Sequence, residues 1–334
     1  MNNSGVEGSD MEKIRVTPLA FESFGVRSMC TLIETKDVKV LVDPGVSVAP
    51  RFSLMPHPRE YAARNQCRAR MREAAKRANV VTISHYHYDH HTPNYVDTVY
   101  CGSNPEEARS LYAQKLVLAK EIRSHVNASQ RRRGWLFQKI SSRFIGRLES
   151  ADGRSFKFGE TELRFSQPAF HGEEDSALGW VVMLLVQRGE EKVLHASDVQ
   201  GPVSKATLEV ILAEKPDLLI IGGQPLYLLG SKVSAESIEQ AFQNLERIVR
   251  SVPVTVLDHH ILRSCDWRDQ SRRVFEEAKR HGNIVVTAAE FAGREDSPLE
   301  CRRETLYERE PPSKEFLDWV KIPVGERKKI APPI

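Results

Sequence analysis

Apolar residues along the chain form short β-branched runs that alternate with longer segments of mixed polarity. The run Val80–Ile83 is typical of a strand buried on both faces of a sheet. Residues 58–78 are rich in Ala, Arg and Glu, with no Gly or Pro after Pro58, which predicts a helix. The same criteria predict strands at 13–20, 28–43, 155–158, 162–167, 178–187, 192–196, 217–221, 252–257 and 283–287, and helices at 104–125, 131–147, 205–214, 235–250 and 267–281.

The order of these elements predicts a layered α/β architecture. Mixed strands occupy the beginning and middle of the chain, and helices alternate with strands towards its end. Two sheets packed together between helices satisfy this order. No linker composition divides the sequence, so we expect a single domain over residues 1–334. Within it we expect disorder at 1–12, a basic helical insertion at 101–150 and a helical tail at 298–334.

The composition of the 334 residues, 40% hydrophobic and 28% charged, is that of a soluble globular protein. No apolar run approaches the ~20 residues needed to span a bilayer, and the polar N-terminus does not have a signal-peptide pattern. Cysteines lie at positions 30, 67, 101, 265 and 301 without C-x-x-C spacing. Their odd number indicates a reducing compartment without a disulfide framework. We therefore expect a cytoplasmic protein with no membrane partner.

Positive charge is concentrated in residues 101–150. This segment has ten Lys or Arg and four Glu, so it carries +6 whereas the whole chain carries +3. A solvated helical face explains such a segment most simply, and a surface for an anionic partner is the alternative. The total charge alone does not indicate a nucleic-acid partner.

Histidine and aspartate recur directly after predicted strands. The stretch 79–91 contains H-x-H-x-D-H, and further His or Asp residues follow three later strands. Imidazole and carboxylate groups bind zinc, iron or manganese. Because strand ends meet at one edge of a sheet, we predict that these side chains form one metal site. The candidates are His85, His87, Asp89, His90, His171, Asp198, His259 and His260.

This pattern resembles the metallo-β-lactamase superfamily, including its lactonase-like and ribonuclease-like members. The resemblance covers most of the chain, and its most specific part is the motif at residues 85–90. It implies a four-layer αββα sandwich of two mixed sheets flanked by helices, with two metal ions. By position it implies that His85, His87 and His171 hold one ion, that Asp89, His90 and a final histidine hold the other, and that Asp198 bridges both.

The final histidine is either His259 or His260. Strand parity does not decide between them, because the backbone leaves the strand at this point. His260 is slightly favoured, since a residue just past the strand end is better placed to turn inwards.

Three further residues are candidates for supporting roles. His91 and His195 are expected to be structural rather than ligating. Asp43 ends a strand on the same side and is a candidate for orienting His85 or His87.

The ligand set and the resemblance imply a metal-dependent hydrolase. We expect two divalent ions, zinc first and iron or manganese as alternatives, with a bridging hydroxide that attacks an ester, lactone or phosphodiester bond. Asp89 is the candidate for orienting the water or accepting its proton. The substrate is then a small molecule or a phosphodiester. The alternatives are a ribonuclease or phosphodiesterase that binds nucleic acid through residues 101–150, and a metal-binding module without turnover. The oligomeric state is not indicated.

Overall fold

Two large sheets form the centre of the structure, a computed structural model that describes residues 13–174 and 177–334. The expected disorder at residues 1–12 lies outside the described residues. The strands of the first sheet, in their order across it, are Arg15–Phe21 (β1), Met29–Glu34 (β2), Lys39–Val42 (β3), Val80–Ile83 (β4), Leu116–Ala119 (β5) and Arg147–Ser150 (β6). The pairs β1–β2 and β2–β3 are antiparallel, and β3 to β6 run parallel.

The second sheet is also mixed. In chain order the remaining strands are Ser155–Phe158 (β7), Thr161–Phe165 (β8), Ala169–Phe170 (β9), Trp180–Val181 (β10), Leu184–Arg188 (β11), Glu191–Ser197 (β12), Leu218–Gly222 (β13), Val254–Asp258 (β14) and Ile284–Val286 (β15). The order across the second sheet is β15-β14-β13-β12-β11-β8-β7, and β9 and β10 form a separate antiparallel pair. Its parallel half, β12 to β15, contains strand ends that carry candidate ligands.

Helices cover the outer faces of both sheets. They are Pro58–Arg77 (α1), Pro105–Tyr112 (α2), Ala128–Ser141 (α3), Lys205–Glu214 (α4), Ala235–Ser251 (α5), Trp267–Gln270 (α6), Arg272–Arg280 (α7), Ala288–Phe291 (α8), Arg303–Arg309 (α9), Lys314–Lys321 (α10) and Val324–Arg327 (α11). None of the helices in the described part of the chain has the length and apolar character to cross a membrane.

Three apolar cores separate four layers. Val42 and Leu118 of the first sheet meet Leu163 and Val186 of the second. A second core joins the first sheet to α1, α2 and α3, and a third joins the second sheet to α4, α5 and α7. The predicted αββα sandwich of two mixed sheets is therefore confirmed.

Helix α1 shows how closely local sequence determines one of these layers. The predicted helix over 58–78 is confirmed, and its first turn is fixed by the carboxylate of Glu60, which accepts the backbone N–H of His57 at 2.7 Å. Cys67 and Met71 lie one turn apart on its buried face and pack against the first sheet. The chain then enters β4 directly, which leads to the first candidate ligands.

The segment 101–150 differs from the prediction of a helical insertion. The helix predicted over 104–125 ends at Tyr112, and β5 follows; the helix predicted over 131–147 ends at Ser141, and β6 follows. Both strands extend the first sheet beyond β4. The short apolar run of β5 is mostly buried in the sheet, so tertiary burial outweighs the helix-forming residues around it.

The expected absence of disulfides is also wrong. Cys265 and Cys301 are joined, with their Cα atoms 5.4 Å apart, whereas Cys30, Cys67 and Cys101 are free and buried. The two joined cysteines are 36 residues apart. Spacing along the chain does not reveal such a pair, because the helical tail that carries Cys301 packs back on the strand-end loops.

Candidate metal centre

The predicted ligands converge at the ends of β4, β9, β12 and β14. His85 lies two residues past β4, and His171, Asp198 and His259 follow β9, β12 and β14 directly. Among the described residues, their donor atoms form several groups whose members all lie within 4.8 Å of one another. The prediction that these strand ends meet is thus confirmed.

The motif at 85–90 is folded into a turn rather than extended. The backbone carbonyl of His87 accepts the N–H groups of His90 and His91, at 3.0 and 3.1 Å. This turn brings the second half of the motif back towards the first. Gly45 allows the close approach, because a Cβ atom at this position would lie 2.2 Å from the backbone nitrogen of His91.

One group contains His85, His87, His171 and Asp198. Nδ1 of His87 lies 3.1 Å from Nε2 of His85 and 3.2 Å from Nε2 of His171. Nε2 of His171 lies 3.0 Å from Oδ2 of Asp198. Three ring nitrogens and one carboxylate oxygen in this spacing have the composition of a divalent metal site.

A second group contains Asp89, His90 and His259. Nε2 of His259 lies 3.7 Å from Oδ2 of Asp89 and 3.5 Å from Oδ2 of Asp198. His90 Nε2, His259 Nε2 and Asp198 Oδ1 are buried, and none has a hydrogen-bond partner in the described part of the chain. Buried polar atoms are normally paired, so these three unpaired atoms fit a cation that joins both groups through Asp198.

Charge favours a cation at the same place. Burial alone would raise the pKa of Asp198, but the surrounding histidines outweigh burial and hold this pKa well below its ordinary value. Burial lowers the pKa of His85 and of His87, so both rings are neutral and able to ligate. For His259, burial is outweighed by Asp198, which raises the pKa to about 9. The carboxylate of Asp198 therefore stabilises positive charge at the ring of His259.

The backbone is strained at three positions around the site. Asp43, Ser197 and His259 have φ angles of 46°, 57° and 66°, in the left-handed region that non-glycine residues seldom occupy. Each of them lies directly at the end of a strand. The left-handed backbone turns these side chains away from the positions that the alternation of side chains along a strand would otherwise give them.

Asp43 organises the site from behind. Its carboxylate accepts hydrogen bonds from the backbone N–H and hydroxyl of Ser84, at 2.7 and 2.6 Å, from the hydroxyl of Ser197 at 2.9 Å and from Nδ1 of His90 at 2.9 Å. Burial alone would raise the pKa of Asp43, but these bonds, led by that of His90, lower it. The predicted contact with His85 is indirect, because Ser84 lies between the two residues.

His85 is oriented through a hydroxyl. Oγ of Ser84 lies 2.9 Å from Nδ1 of His85 and 2.7 Å from Oγ of Ser197. The two serines were not predicted as site residues, although Ser84 directly precedes the motif. Their position behind the ligands depends on two different sheets meeting, which one stretch of sequence cannot show.

His260 has a different environment from His259. Nε2 of His260 lies 3.0 Å from Oδ2 of Asp198, while Nδ1 faces the guanidinium of Arg263 and the hydroxyl of Tyr227, both at 3.0 Å. Burial and Arg263 lower the pKa of His260 to about 3. Because a guanidinium only donates, Nδ1 accepts and the proton lies on Nε2. Neither Arg263 nor Tyr227 was predicted from the sequence.

His91 and His195 lie outside the ligand groups of the described residues. Nδ1 of His91 bonds the backbone carbonyl of His87 at 2.9 Å, and Nε2 of His195 bonds that of Met29 at 3.0 Å. Both bonds are structural, as predicted.

A cleft of about 530 Å³ opens beside the ligands. His87, Asp89, His171, Asp198 and His260 form its floor. Its walls include three cationic side chains, Arg27, Lys232 and Arg263, together with Leu178 and Tyr227. The donor atoms thus border a space large enough for a small molecule or part of a chain.

Comparison with known proteins agrees with this fold. A family model described as a beta-lactamase superfamily domain matches residues 26–245, and the chain belongs to this superfamily. Within it the chain belongs to the UPF0282 proteins. It is 46% identical to that of Methanopyrus kandleri over 88% of this chain and 99% of the relative, and 43% identical to that of Thermococcus gammatolerans over 89% and 96%. The crystal structure of the metallo-beta-lactamase fold protein YhfI from Bacillus subtilis aligns with a TM-score of 0.47 and 14% identity, over 83% of this chain and 98% of that one.

Proposed function

We propose that the chain is a hydrolase with a binuclear metal centre at the bottom of the cleft. His85, His87 and His171 would hold one ion, and Asp89, His90 and His259 the other, with Asp198 shared between them. The observation that carries this proposal is that one donor group contains Asp198 and that His259 of the other group lies 3.5 Å from its carboxylate, with three buried atoms unpaired among the described residues. Two divalent ions held there would act as Lewis acids and lower the pKa of a water molecule.

His259 is a better candidate than His260 for the last ligand. His259 shares a donor group with Asp89 and His90, whereas His260 groups only with Asp198 and His259. Arg263 lies 3.0 Å from Nδ1 of His260 and 3.4 Å from Nδ1 of His259, but Nδ1 of His259 also lies 3.6 Å from the carboxylate of Glu22, an acceptor of the kind that metal-bound histidines usually have for their second ring N–H. The preference for His260 stated from the sequence is therefore reversed in this proposal.

The chain's own residues would then orient the reactants. Asp89 is partly exposed to the cleft, and neighbouring histidines lower its pKa against the effect of burial, so it remains an acceptor able to orient a water. His260 presents Nε2–H to the cleft floor, because Arg263 and Tyr227 fix its opposite nitrogen. A site that opens to the cleft favours a catalytic role rather than a purely structural one, since structural zinc sites have no open coordination position.

The cleft favours an anionic substrate. Arg27, Lys232 and Arg263 line it. Arg27 pairs with Glu300 and Arg263 with Glu22, so Lys232 is the wall cation without an ion pair among the described residues, and Glu173 is the only acidic residue of these walls apart from the donor carboxylates. A phosphodiester is therefore the first substrate class to test, ahead of a neutral ester or a lactone.

The test combines metal analysis with a substrate screen. Purified wild-type protein should contain two equivalents of zinc, iron or manganese and hydrolyse bis(p-nitrophenyl) phosphate faster than p-nitrophenyl esters or lactones. Asp198→Asn should lose metal at both positions and lose hydrolysis. A wild-type metal content that Asp198→Asn leaves unchanged contradicts the binuclear centre. Full metal content without hydrolysis of any of these substrates favours the non-catalytic module.

A further inference from the structure

Helix α3 carries an unneutralised row of cations and an exposed aromatic ring. Its sequence, Ala128–Ser141, has four cations and no acidic residue. Arg131, Arg132, Trp135 and Lys139 lie on one side of the helix. Arg123 from the preceding loop lines a surface cavity of about 770 Å³ together with Arg131, Arg132 and Trp135. We name these five residues the α3 face.

The cations of the α3 face differ from their neighbours because none of them has a carboxylate partner among the described residues. Lys120 pairs with Asp152 at 2.6 Å, and Arg147 pairs with Glu149 at 2.7 Å. No ion pair with a carboxylate involves any cation of the α3 face within residues 13–174 and 177–334. Their positive charges therefore add up rather than cancel, and the resulting potential attracts a polyanion.

Trp135 provides a surface for stacking. Its side chain is 49% exposed, although large aromatic residues are usually buried. The amine of Lys139 lies 4.5 Å from the centre of its ring, which keeps a cation beside the aromatic plane. The opposite side of the helix, including Phe137, is buried in the core of the first layer, so Trp135 is not needed for packing α3.

The α3 face is connected directly to the metal cleft. At the start of the helix, the amide of Asn127 donates to the carbonyls of Ala177 and Leu178, at 2.8 and 2.9 Å. The buried side chain of Gln130 donates to Leu178 at 2.7 Å and accepts the backbone N–H of Tyr86, within the ligand motif, at 3.2 Å. Since Leu178 lines the cleft, the start of α3 lies beside the cleft wall.

We infer that the α3 face binds single-stranded nucleic acid. Proteins that bind single strands combine cations spaced along the phosphate backbone with aromatic rings that stack on unpaired bases, and the α3 face has both. A membrane surface fits less well, because Trp135 is the single large apolar side chain of α3 that is exposed, whereas a membrane-bound helix presents a wide apolar face. The inference goes beyond the proposed hydrolase by naming a macromolecular partner, and it requires binding but no turnover.

The test is fluorescence anisotropy of full-length protein with fluorescein-labelled oligo(dT) of about 20 nucleotides over a series of salt concentrations. Wild-type protein should bind, and Trp135→Ala should weaken binding by about 5- to 150-fold, the effect of losing one stacked base. The pair Arg131→Gln and Arg132→Gln should reduce the slope of log K against log salt by about 1.4, or 0.7 for each lost phosphate contact.

A matched control removes two exposed arginines from another helix. Arg272→Gln and Arg280→Gln lie on α7 and lower the total charge by the same amount. These two substitutions should change the affinity for the oligonucleotide by no more than about twofold from wild type, as expected for charges outside a binding surface. Circular dichroism of all variants checks that they are folded.

The inference is overturned if wild-type protein fails to bind at low salt, or if Trp135→Ala and the α7 control bind equally well. Equal binding of a duplex of the same length, unaffected by Trp135→Ala, overturns it as well, because paired bases cannot stack on the ring. Co-sedimentation with phosphatidylserine vesicles that depends on Trp135, without oligonucleotide binding, would assign the face to a membrane instead. Because binding is measured without catalysis, none of these results depends on whether the hydrolase assay succeeds.

Discussion

Asp43 and His90 form a hydrogen bond of 2.9 Å between Oδ2 and Nδ1, and both side chains are fully buried. They come from different parts of the chain, 47 residues apart. The bond fixes the ring of His90 so that its free Nε2 faces the shared carboxylate of Asp198, at 3.9 Å. Asp43 thus determines the direction of a proposed ligand, and its carboxylate also forms a donor group with His85 and His90.

Asp43→Asn should weaken metal binding while the protein remains folded. An amide has the size of the carboxylate, but its NH2 group must replace either Oδ1, which accepts the backbone N–H of Ser84, or Oδ2, which accepts from His90 and both serine hydroxyls. A donor then faces a donor, so the orientation of the His90 ring is weakened. We expect metal affinity to fall by roughly 10- to 100-fold, as for other residues that orient metal-bound histidines. Metal titration by isothermal calorimetry measures the change.

The control for this substitution is His91→Asn in the same motif. The ring of His91 forms a hydrogen bond from Nδ1 to the backbone carbonyl of His87, and an asparagine amide can donate the same bond. Metal affinity should therefore stay close to wild type. Equal losses in Asp43→Asn and His91→Asn would mean that any change near the motif disturbs the site, which contradicts a specific role for Asp43.

Two adjacent histidines should respond differently to substitution. His259→Asn removes a donor from the group with Asp89 and His90, so the protein should retain about one metal equivalent instead of two. His260→Asn leaves both groups complete, and it should keep both equivalents while kcat falls by about 10²- to 10⁴-fold, the effect typical of a proton-donating or proton-accepting side chain. Plasma emission spectrometry and steady-state kinetics give the two readouts. A loss of metal in His260→Asn with none in His259→Asn would reverse the assignment.

Gly45→Ala should disrupt the ligand turn. The added Cβ would lie 2.2 Å from the nitrogen of His91 and 2.5 Å from backbone atoms of His90, and backbone cannot move aside as a flexible side chain can. We expect a loss of about 3 kcal/mol in the free energy of unfolding. Gly325→Ala is the matched control, since nothing lies within 4 Å of a Cβ there and alanine favours the helix. Urea unfolding compares the two, and equal stabilities would contradict the close approach at Gly45.

The ligand residues could be predicted because each is a local signal, a polar residue directly after an apolar run. The motif at 85–90, His171 and Asp198 all have this form, and the packing of the two sheets and the β9–β10 pair brings these strand ends together. The choice between His259 and His260 could not be made in this way. It depends on the left-handed backbone at His259, where φ is 66°, and no propensity of histidine indicates such a conformation.

The strands β5 and β6 and the disulfide could not be predicted for a different reason. The run that forms β5 is four residues long and lies between helix-forming stretches, so its periodicity could not separate a strand from a helix. Only the open edge of β4 beside it makes a strand favourable. In the same way, the Asp43 network and the pair Cys265–Cys301 join residues from distant segments, which the sequence does not relate to each other.

The disulfide should stabilise the loop that carries the last ligands. Cys265 lies two residues beyond Arg263, and its bond to Cys301 closes a loop with a sequence separation of 36 residues. The chain-entropy relation gives about 4 kcal/mol for a loop of this size. Cys301→Ser should lower the free energy of unfolding by that order, measured by urea denaturation without reductant.

Reductant provides the control for this prediction. Wild-type protein in dithiothreitol should become as unstable as Cys301→Ser, and the variant itself should not change further. Wild-type protein that unfolds at the same urea concentration with and without dithiothreitol would show that the bond contributes nothing to stability.

Glu300 should make stability depend on acid pH. Its carboxylate is 4% exposed and accepts two bonds from the guanidinium of Arg27, Nε to Oε2 at 2.6 Å and Nη2 to Oε1 at 2.7 Å. Burial alone would raise the pKa of Glu300, but Arg27 and the neighbouring arginines outweigh burial and lower the pKa below its ordinary 4.5. A carboxylate whose pKa is lowered by folding contributes stability that is complete above its ordinary pKa and is lost as the pH falls below it.

Glu300→Gln should therefore be less stable than wild type by about 2 kcal/mol at neutral pH, the contribution of hydrogen bonds to a charged group. The difference should shrink as the pH falls from about 5 to about 3, because the unfolded wild-type chain takes up a proton at Glu300 in this range while the folded protein, with its lower pKa, does not. Glu73→Gln is the control, since Glu73 and its partner Lys76 are 70% and 69% exposed and an exposed pair contributes little. Urea denaturation of the three proteins at each pH gives the comparison. A difference between wild type and Glu300→Gln that stays constant down to about pH 3 would mean that the pKa of Glu300 is not lowered in the folded protein.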